Sequence, residues 1–422
     1  MTQLFRLVFA SGALLAAKSA LLGMRTLVLL IIAAHGGSGG LAIASFALSL
    51  AEAGRWVADF GTDTWNVRAI AIARDARGES RILTAALLVK AIGSVLVGLT
   101  IFVVCWLAIP INGIAYGCLA ALLLMTSQVA GLTIAYFQTK DDIPKLTPML
   151  IPCGGTVLAA FLSLTWSGSV LTALAAMTAG EIISAVLLVL LLQKRVALKD
   201  WSSAMPDAAL MARSCVPTAA FGIIVGVYSR LDTFTLAKFS FAALAVYTVA
   251  QRLFQPFQIA VTSFGSIIYS RTALLHAEGR PVAEQLLRRE MPLIIGCSLV
   301  SSVVLFFGGR LLVEQVFPMY RTALGPLTLL CVVLPFLAFN SAMAGLLLGY
   351  GRYWAVLAVS VIDLALTYLC MIVLIPLYGS TGTALSLLIG ALINGAALSL
   401  AAVFATRSPA AGTNPVGISA QR

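Results

Sequence analysis

The amino-acid sequence predicts an all-α polytopic membrane protein, with about twelve transmembrane helices arranged in two six-helix lobes around a central cavity. The first observation behind this prediction is composition: 60% of the 422 residues are hydrophobic and only 10% are charged, whereas soluble domains are about 45–50% apolar and about 25% charged. The second is the recurrence of apolar runs of about 20 residues, the length that crosses a bilayer. Because the chain has only two histidines and its seven cysteines lie in or beside apolar runs, we expect no metal site, disulfide framework or cofactor.

The apolar runs define the elements in chain order, and the linkers between them are too short to hold a soluble domain. Their approximate bounds are 9–33, 40–62, 82–108, 112–136, 144–166, 169–192, 209–233, 240–266, 290–312, 322–348, 353–376 and 380–404. The first run is interpreted as a transmembrane helix and not as a cleaved signal, because it is too long and is interrupted by Lys18. The runs predict an N-terminal lobe over 1–200, a C-terminal lobe over 201–406 and a flexible tail over 407–422.

Lysine and arginine in the predicted loops concentrate on one side of the membrane. Because basic loops are retained in the cytoplasm, this asymmetry places both termini there. The net charge of +11 is largely this topology signal, and no basic patch interleaved with aromatic residues indicates nucleic acid. No loop of the GxxxxGK[ST] type occurs, so ATP is not expected to drive a transport step directly.

Basic residues also fall inside the predicted spans, where each is costly. They are Lys18, Arg25, Arg55, Arg68, Lys90, Arg213, Arg230 and Arg252. Arg68 and Arg213 lie near cytoplasmic ends and can reach water by snorkelling. Arg230 lies near the outer end of its span, two residues before Asp232, and can either snorkel or form an ion pair. Four lie within roughly 10 Å of the midplane at the helical rise per residue, and Lys90 is slightly closer to the cytoplasm. Those four are Lys18, Arg25, Arg55 and Arg252.

Helical periodicity groups the polar residues of three spans into stripes. Lys18 and Arg25 are seven residues apart and share one face of the first span. The second span carries Ser45, Ser49, Glu52, Arg55, Asp59 and Asp63, and the eighth carries Tyr247, Thr248, Gln251, Arg252 and Gln255. Such stripes avoid lipid, so they face one another or a water-filled cavity.

Two interpretations of these stripes stay open. In one they join helices, since Glu52 and Asp59 both have spacings to Arg55 that suit local ion pairs. In the other, which is favoured because Lys18 and Arg25 have no acid on their own helix, the stripes line a hydrated anion-binding cavity. The predicted substrate-binding residues are Lys18, Arg25, Arg55, Lys90, Arg230, Gln251, Arg252 and Gln255. The acidic residues that are candidates for ion coupling or ion pairing are Glu52, Asp59, Glu181 and Asp363.

An internal repeat supports the two-lobed arrangement. Residues 40–44 (GLAIA) and 243–247 (ALAVY) each follow a short loop after a span that contains an arginine, Arg25 in one case and Arg230 in the other. The two copies are offset by about half the chain, which is typical of transporters built from two parallel repeats around an axis along the membrane normal.

Three stretches, in this order, resemble Wzx-type polysaccharide flippases. They are VADFGTDTWNVRAIA (57–71), SRLDTFTLAKFSFAALAVYTVAQRLFQP (229–256) and the region 345–390, which contains IPLYG (375–379) followed by Gly382. The likeness covers most of the chain. It places the sequence beside lipid II flippases and MATE drug exporters, which share a superfamily with the Wzx proteins.

The resemblance implies a central cavity whose cations accept the pyrophosphate of an undecaprenyl-linked sugar. In lipid II flippases such cations lie on spans 1, 2 and 8, and the matching positions here are Lys18, Arg25, Arg55 and Arg252. The sequence departs from lipid II flippases in its lysine at position 18 and in lacking two C-terminal spans, which argues against lipid II itself. The expected role is therefore non-enzymatic: flipping a lipid-linked oligosaccharide across a bacterial inner membrane for O-antigen, capsule or exopolysaccharide assembly.

The partners implied by this role are the lipid-linked oligosaccharide, membrane lipids, a polysaccharide polymerase and glycosyltransferases. Two alternatives remain. A MATE-like antiporter of cationic drugs or metabolites needs an acidic cavity, whereas the three stripes are richer in cations. A non-transporting membrane scaffold for glycan assembly would have its cations fully paired across helices, with no hydrated void.

Overall fold

The structure, a computed structural model, describes residues 23–72, 76–140, 150–192, 201–277 and 290–407. These ranges are helical and contain no β-strand. The helices are α1 (Gly23–His35), α2 (Gly37–Asp59), α3 (Thr62–Ile72), α4 (Ala76–Ala108), α5 (Gly113–Thr139), α6 (Leu150–Ser167), α7 (Val170–Leu192), α8 (Trp201–Tyr228), α9 (Leu231–Phe239), α10 (Phe241–Ala277), α11 (Met291–Gln315), a 3₁₀ turn (Pro318–Ala323), α12 (Leu324–Gly349), α13 (Tyr353–Tyr378) and α14 (Ser380–Arg407).

Within the described ranges, eight helical stretches are long and apolar enough to cross a membrane, and each coincides with a predicted span. They are Gly37–Asp59, Arg77–Ala108, Gly113–Phe137, Val170–Leu192, Met291–Gln315, Pro318–Gly349, Tyr353–Tyr378 and Ser380–Phe404. At the other predicted positions, α1 and α6 are shorter apolar helices, and α8 and α10 are helices with more polar residues. The count of twelve spans therefore stays a prediction.

The chain divides into two compact units, Met1–Ala237 and Lys238–Arg422. In the first unit α2 packs against α4, α5, α7 and α8, and α5 packs against α3, α4 and α7. Among its apolar contacts is a cluster of buried residues from α3, α4, α5, α7 and α8. The lobe boundary predicted at residues 200 and 201 falls inside this unit, and as a statement about transporter lobes it stays a prediction.

In the second unit α10 packs along α12, which also contacts α11 and α14, while α13 packs against α14. At one point the backbones of α10 and α12 come into direct contact. A Cβ placed on Gly345 would lie 2.3 Å from the carbonyl oxygen of Gly265, so no side chain fits there. Small residues of this kind allow transmembrane helices to approach closely.

The second predicted span does not run as one helix through residue 62. Helix α2 ends at Asp59, and Phe60 and Gly61 have positive φ values of 51° and 74°. The carboxylate of Asp59 then accepts hydrogen bonds from the Thr62 hydroxyl at 2.9 Å and from the Asp63 backbone N–H at 3.3 Å. Because these contacts satisfy the first turn of a new helix, the chain restarts at once as α3, and Asp63 lies on a different helix from Glu52.

Candidate functional site

Arg25 lies in α1 and is only 7% exposed. Its Nε donates to Oε1 of Glu181 at 2.6 Å, and its Nη2 donates to Oε2 of the same carboxylate at 2.7 Å. Nη2 also donates to the hydroxyl of Ser127 on α5 at 3.0 Å. The carboxylate, on α7, is within 3.2 Å of the Thr126 hydroxyl. This two-point contact uses the planar fork of the guanidinium, the geometry with which arginine binds carboxylates and phosphates.

A second carboxylate connects Arg25 to another arginine. Oε1 of Glu52, on α2, lies 3.8 Å from Nη1 of Arg25, and its Oε2 forms an ion pair with Nη2 of Arg230. Each of these four residues is at most 9% exposed. We call Arg25, Glu52, Glu181 and Arg230 the four-residue network. Its two arginines and two glutamates give a formal charge of zero.

Local structure explains how these side chains meet. Glu52 lies on the face of α2 that also buries Ser45 and Ser49. Arg230 lies in the turn between α8 and α9, where its N–H donates to the carbonyl of Val227 at 3.2 Å. This position ends the long helix and turns the guanidinium toward α2. At Gly180, the neighbour of Glu181, a Cβ would lie 1.6 Å from Oγ1 of Thr156, so the glycine lets α6 pack closely against α7.

A second buried cluster surrounds Lys90 of α4, which is 2% exposed. Its ammonium contacts Oδ1 of Asp59, lies 3.0 Å from Oδ1 of Asp63 and donates to Oε1 of Gln128 at 3.0 Å. The Gln128 amide donates in turn to the carbonyl of Arg55 at 2.8 Å. We call Asp59, Asp63, Lys90 and Gln128 the Lys90 cluster. One ammonium and two carboxylates give it a formal charge of −1.

Arg55 differs from these buried cations. Its side chain is exposed, and its guanidinium carbon lies 5.9 Å from the centre of the Trp56 ring, within the range of a cation–π contact. In the described part of the chain it forms no ion pair. The carboxylates expected to pair with it locally, those of Glu52 and Asp59, instead bind cations from other helices.

The second unit contains the remaining predicted residues. Arg252, on α10, is 1% exposed and donates from Nη1 to Oε1 of Gln255 at 2.8 Å; Gln251 beside it is also buried. On α13 the carboxylate of Asp363 accepts hydrogen bonds from the Thr367 hydroxyl at 3.2 Å and from the Asn394 amide at 2.9 Å. Asp363 therefore has neutral donors from two helices.

The structure places six of the predicted site residues in the four-residue network and the Lys90 cluster. The six are Arg25, Glu52, Asp59, Lys90, Glu181 and Arg230. Lys18 lies outside the described residues. The sequence analysis did not identify the polar partners on α5. Thr126, Ser127 and Gln128 are three successive polar residues in an otherwise apolar run, and this pattern could have indicated that α5 takes part in the site. Among the described residues, no group of three or more His, Cys, Asp or Glu side chains is placed to hold a metal ion.

No known family profile and no curated protein sequence matches the chain, but solved structures do. The lipid II flippase MurJ in an inward closed conformation aligns with a TM-score of 0.69 at 14% identity, over 92% of this chain and 87% of that one. An inward-facing multidrug resistance MATE family transporter of the MOP superfamily aligns with a TM-score of 0.66 at 15% identity, over 91% of this chain and 93% of that one. A MOP superfamily transporter from Pyrococcus furiosus, with a binding pocket of reverse polarity, aligns with a TM-score of 0.64 at 15% identity, over 95% of this chain and 94% of that one.

These similarities cover nearly the whole chain and identify its fold as that of MOP superfamily transporters. Together with the eight apolar helical stretches, they make the chain a multi-pass membrane protein. The structures it resembles are transporters and flippases. Because the identities are low, they specify architecture and leave the function to be argued from the site.

Proposed function

We propose that the chain is an alternating-access transporter that flips an undecaprenyl-pyrophosphate-linked oligosaccharide from the cytoplasmic to the periplasmic leaflet of a bacterial inner membrane. The oligosaccharide would serve the assembly of a cell-surface polysaccharide. Both termini would lie in the cytoplasm, and glycosyltransferases and a polymerase would act before and after the flipping step. The likeness of three stretches of sequence to Wzx-type flippases and the fold shared with a lipid II flippase support this choice.

The observation that carries the proposal is the buried two-point contact of Arg25 in α1, the apolar helix at the position of the first predicted span. Its fork already holds a pair of anionic oxygens, those of Glu181, at 2.6 and 2.7 Å. A phosphate presents a similar pair of oxygens. The chain therefore contains a buried cation oriented for an oxyanion.

The headgroup contacts are assigned to the cations of each unit and to the buried glutamines of α10. They are Lys18, Arg25, Arg55, Lys90 and Arg230 in the first unit and Gln251, Arg252 and Gln255 in the second. Coupling to an ion is assigned to Glu52, Asp59, Glu181 and Asp363. A membrane potential that is negative inside would favour outward movement by about 2.3 kcal/mol per negative charge per 100 mV.

A MATE-like antiporter is the second candidate, and the charge count of the first unit favours it. The ion pairs of this unit join four carboxylates, of which Asp63 is partly exposed, to three buried cations, so these clusters are not the cation-rich surface that an anion carrier suggests. The carboxylates are Glu52, Asp59, Asp63 and Glu181, and the cations are Arg25, Lys90 and Arg230. An interior with this balance also suits a cationic substrate that exchanges with protons.

A scaffold without transport activity is the third reading. Cross-helix pairing, the feature expected of a scaffold, is present for Arg25, Lys90 and Arg230. Ion pairs of this kind also occur in transporters, where intramembrane charges mark substrate and proton paths. Transport must therefore be measured directly.

Purified protein in proteoliposomes separates the three candidates. The probe is an undecaprenyl-pyrophosphate disaccharide with a fluorophore on its terminal sugar, and its exposure is followed with a membrane-impermeant quencher. We expect flipping by the wild type, loss of flipping in Arg25→Ala and normal flipping in Arg310→Ala, which removes an exposed arginine paired with Glu314. Movement of the cationic dye ethidium in a proton gradient, without flipping, would favour the antiporter. Absence of both activities in folded protein would favour the scaffold.

A further inference from the structure

The four-residue network has no net charge, yet the proposed substrate is an anion. We infer that Arg25 binds the anionic headgroup only when Glu181 takes up a proton, so that a phosphate oxygen pair replaces the carboxylate at the arginine fork. This inference rests on the proposed function and adds a regulated exchange at the same site. It makes headgroup binding and proton uptake at Glu181 a single linked event.

Two of the three nitrogen atoms of the Arg25 guanidinium donate hydrogen bonds, and the third faces a carboxylate. Nε and Nη2 bind the two oxygens of Glu181, Nη2 also binds Ser127, and Nη1 is directed toward Glu52 at 3.8 Å. A bidentate phosphate needs two parallel donors. The Nε–Nη2 pair is held by Glu181, and the Nη1–Nη2 pair faces the Ser127 hydroxyl and the Glu52 carboxylate. An incoming headgroup therefore meets an ionised carboxylate at either fork, and at the Nε–Nη2 fork it competes with Glu181 for one position.

Charge decides how the competition is resolved. With both glutamates ionised, an added phosphate would be a buried anion without a compensating cation, which is strongly unfavourable in a low-dielectric interior. With Glu181 neutral, Arg25, Arg230 and Glu52 carry a net charge of +1, and the phosphate enters an attractive field. Proton uptake thus converts a balanced network into an anion site.

The surroundings of Glu181 can hold it in either form. The Thr126 hydroxyl lies 3.2 Å from Oε2 of Glu181 and 3.0 Å from the carbonyl oxygen of Leu123. It has one proton to donate and lone pairs that accept. When Glu181 is ionised, Thr126 donates to it; when Glu181 is protonated, Thr126 donates to Leu123 and accepts the new O–H. Both forms keep a hydrogen bond.

Glu181, and not Glu52, is the carboxylate that exchanges. Glu52 is shared between two arginines and its Oε2 is held by Arg230, so it remains the counter-ion of that residue. Among the described residues, the titratable and charged groups around Glu181 are Arg25 from α1, which also lies near Glu52 of α2, and the buried thiol of Cys153 from α6. From α5, the Thr126 hydroxyl contacts Glu181 directly and the Ser127 hydroxyl accepts from Arg25.

The test measures affinity for the fluorescent undecaprenyl-pyrophosphate disaccharide in nanodiscs between pH 5.5 and 8.5. For the wild type, we expect affinity to fall by about tenfold per pH unit above the pH at which Glu181 loses its proton, as one linked proton requires. Glu181→Gln should bind at least as tightly as the wild type at low pH and keep that affinity at high pH. Titration of the probe itself is common to both proteins, so their ratio isolates Glu181.

Glu314→Gln, which removes an exposed carboxylate from the i,i+4 pair with Arg310, is the matched control and should follow the wild-type pH profile. If Glu181→Gln does not fold, Glu181→Asp keeps a titrating carboxylate with a shorter reach and should retain the pH slope with altered affinity. Equal pH profiles for the wild type and Glu181→Gln, or a flat profile for a folded Glu181→Asp, would overturn the inference alone. A wild type that binds no probe at any pH would reject the proposed substrate and the inference with it.

Discussion

Arg25 and Glu181 are 156 residues apart in sequence, and their side chains make a buried two-point ion pair with N–O distances of 2.6 and 2.7 Å. The pair joins the first described helix to α7. It therefore has two consequences that can be separated by experiment: it contributes to the stability of the first unit, and it holds a buried cation in a defined orientation.

Removing one partner should be more harmful than removing both. Arg25→Met alone leaves Glu181 as a buried charge, which costs about 3–5 kcal/mol of unfolding free energy. The double variant Arg25→Met with Glu181→Leu leaves no uncompensated charge and should recover most of that loss, while flipping stays abolished. Denaturant unfolding in detergent gives the stability and the liposome assay gives the activity. The control pair, Arg310→Ala with Glu314→Ala, is exposed and should change stability little. Equal stability of the single and double variants would contradict this account.

The two aspartates of the Lys90 cluster should contribute unequally to the stability of the protein. Asp59→Asn should destabilise the protein by about 1–3 kcal/mol, because hydrogen bonds to a charged group are lost: Asp59 contacts Lys90 and also accepts from Thr62 and from the backbone of Asp63. Asp63→Asn removes the carboxylate in excess of the single ammonium and should be tolerated. Unfolding midpoints compare the two. A larger loss in Asp63→Asn would mean that the formal charge of −1 is compensated by something other than the described residues.

The backbone contact between α10 and α12 predicts that a glycine-to-alanine substitution destabilises the protein at Gly345 and not at a glycine with open space around it. Gly345→Ala would bring a methyl group to 2.3 Å from the carbonyl oxygen of Gly265, and overpacking of this kind costs about 1–3 kcal/mol. Gly308→Ala on α11 is the matched control, since a Cβ there meets nothing within 4 Å. Thermal unfolding of both variants in the same detergent tests the contact, and similar behaviour of the two would exclude it.

The predicted topology can be tested by thiol labelling in a background without the seven native cysteines. Asn112→Cys, between α4 and α5, should react with a membrane-impermeant maleimide added to intact cells. Ser408→Cys, in the predicted cytoplasmic tail, should react only after the membrane is opened. The reverse pattern would invert the assignment based on basic loops, and reaction of both sites in intact cells would reject the odd number of spans predicted between residues 112 and 408.

The sequence predicted the elements better than it predicted their partners. Hydropathy located eight apolar stretches because length and composition determine membrane insertion. Periodicity placed Glu52 and Asp59 on one face of α2 because helical geometry is local. The break at Phe60 and Gly61 was missed, since it depends on the capping bonds of Asp59 and not on hydropathy. The pairing of Arg25 with Glu181 was also beyond local rules, because it depends on which helices pack together.

The separation of Arg25 and Glu181 along the chain also sets an order of events during biosynthesis. At about 5–20 residues per second, the ribosome adds the 156 residues between them in about 8–30 s. Glu52 is the first carboxylate that follows Arg25 in the sequence, so we expect it to be the first acidic side chain within reach of Arg25 during synthesis. The two-point contact with Glu181 and the ion pair between Arg230 and Glu52 can form only after those later residues have been made. Glu52 can therefore act as a counter-ion for Arg25 before α7 has been synthesised.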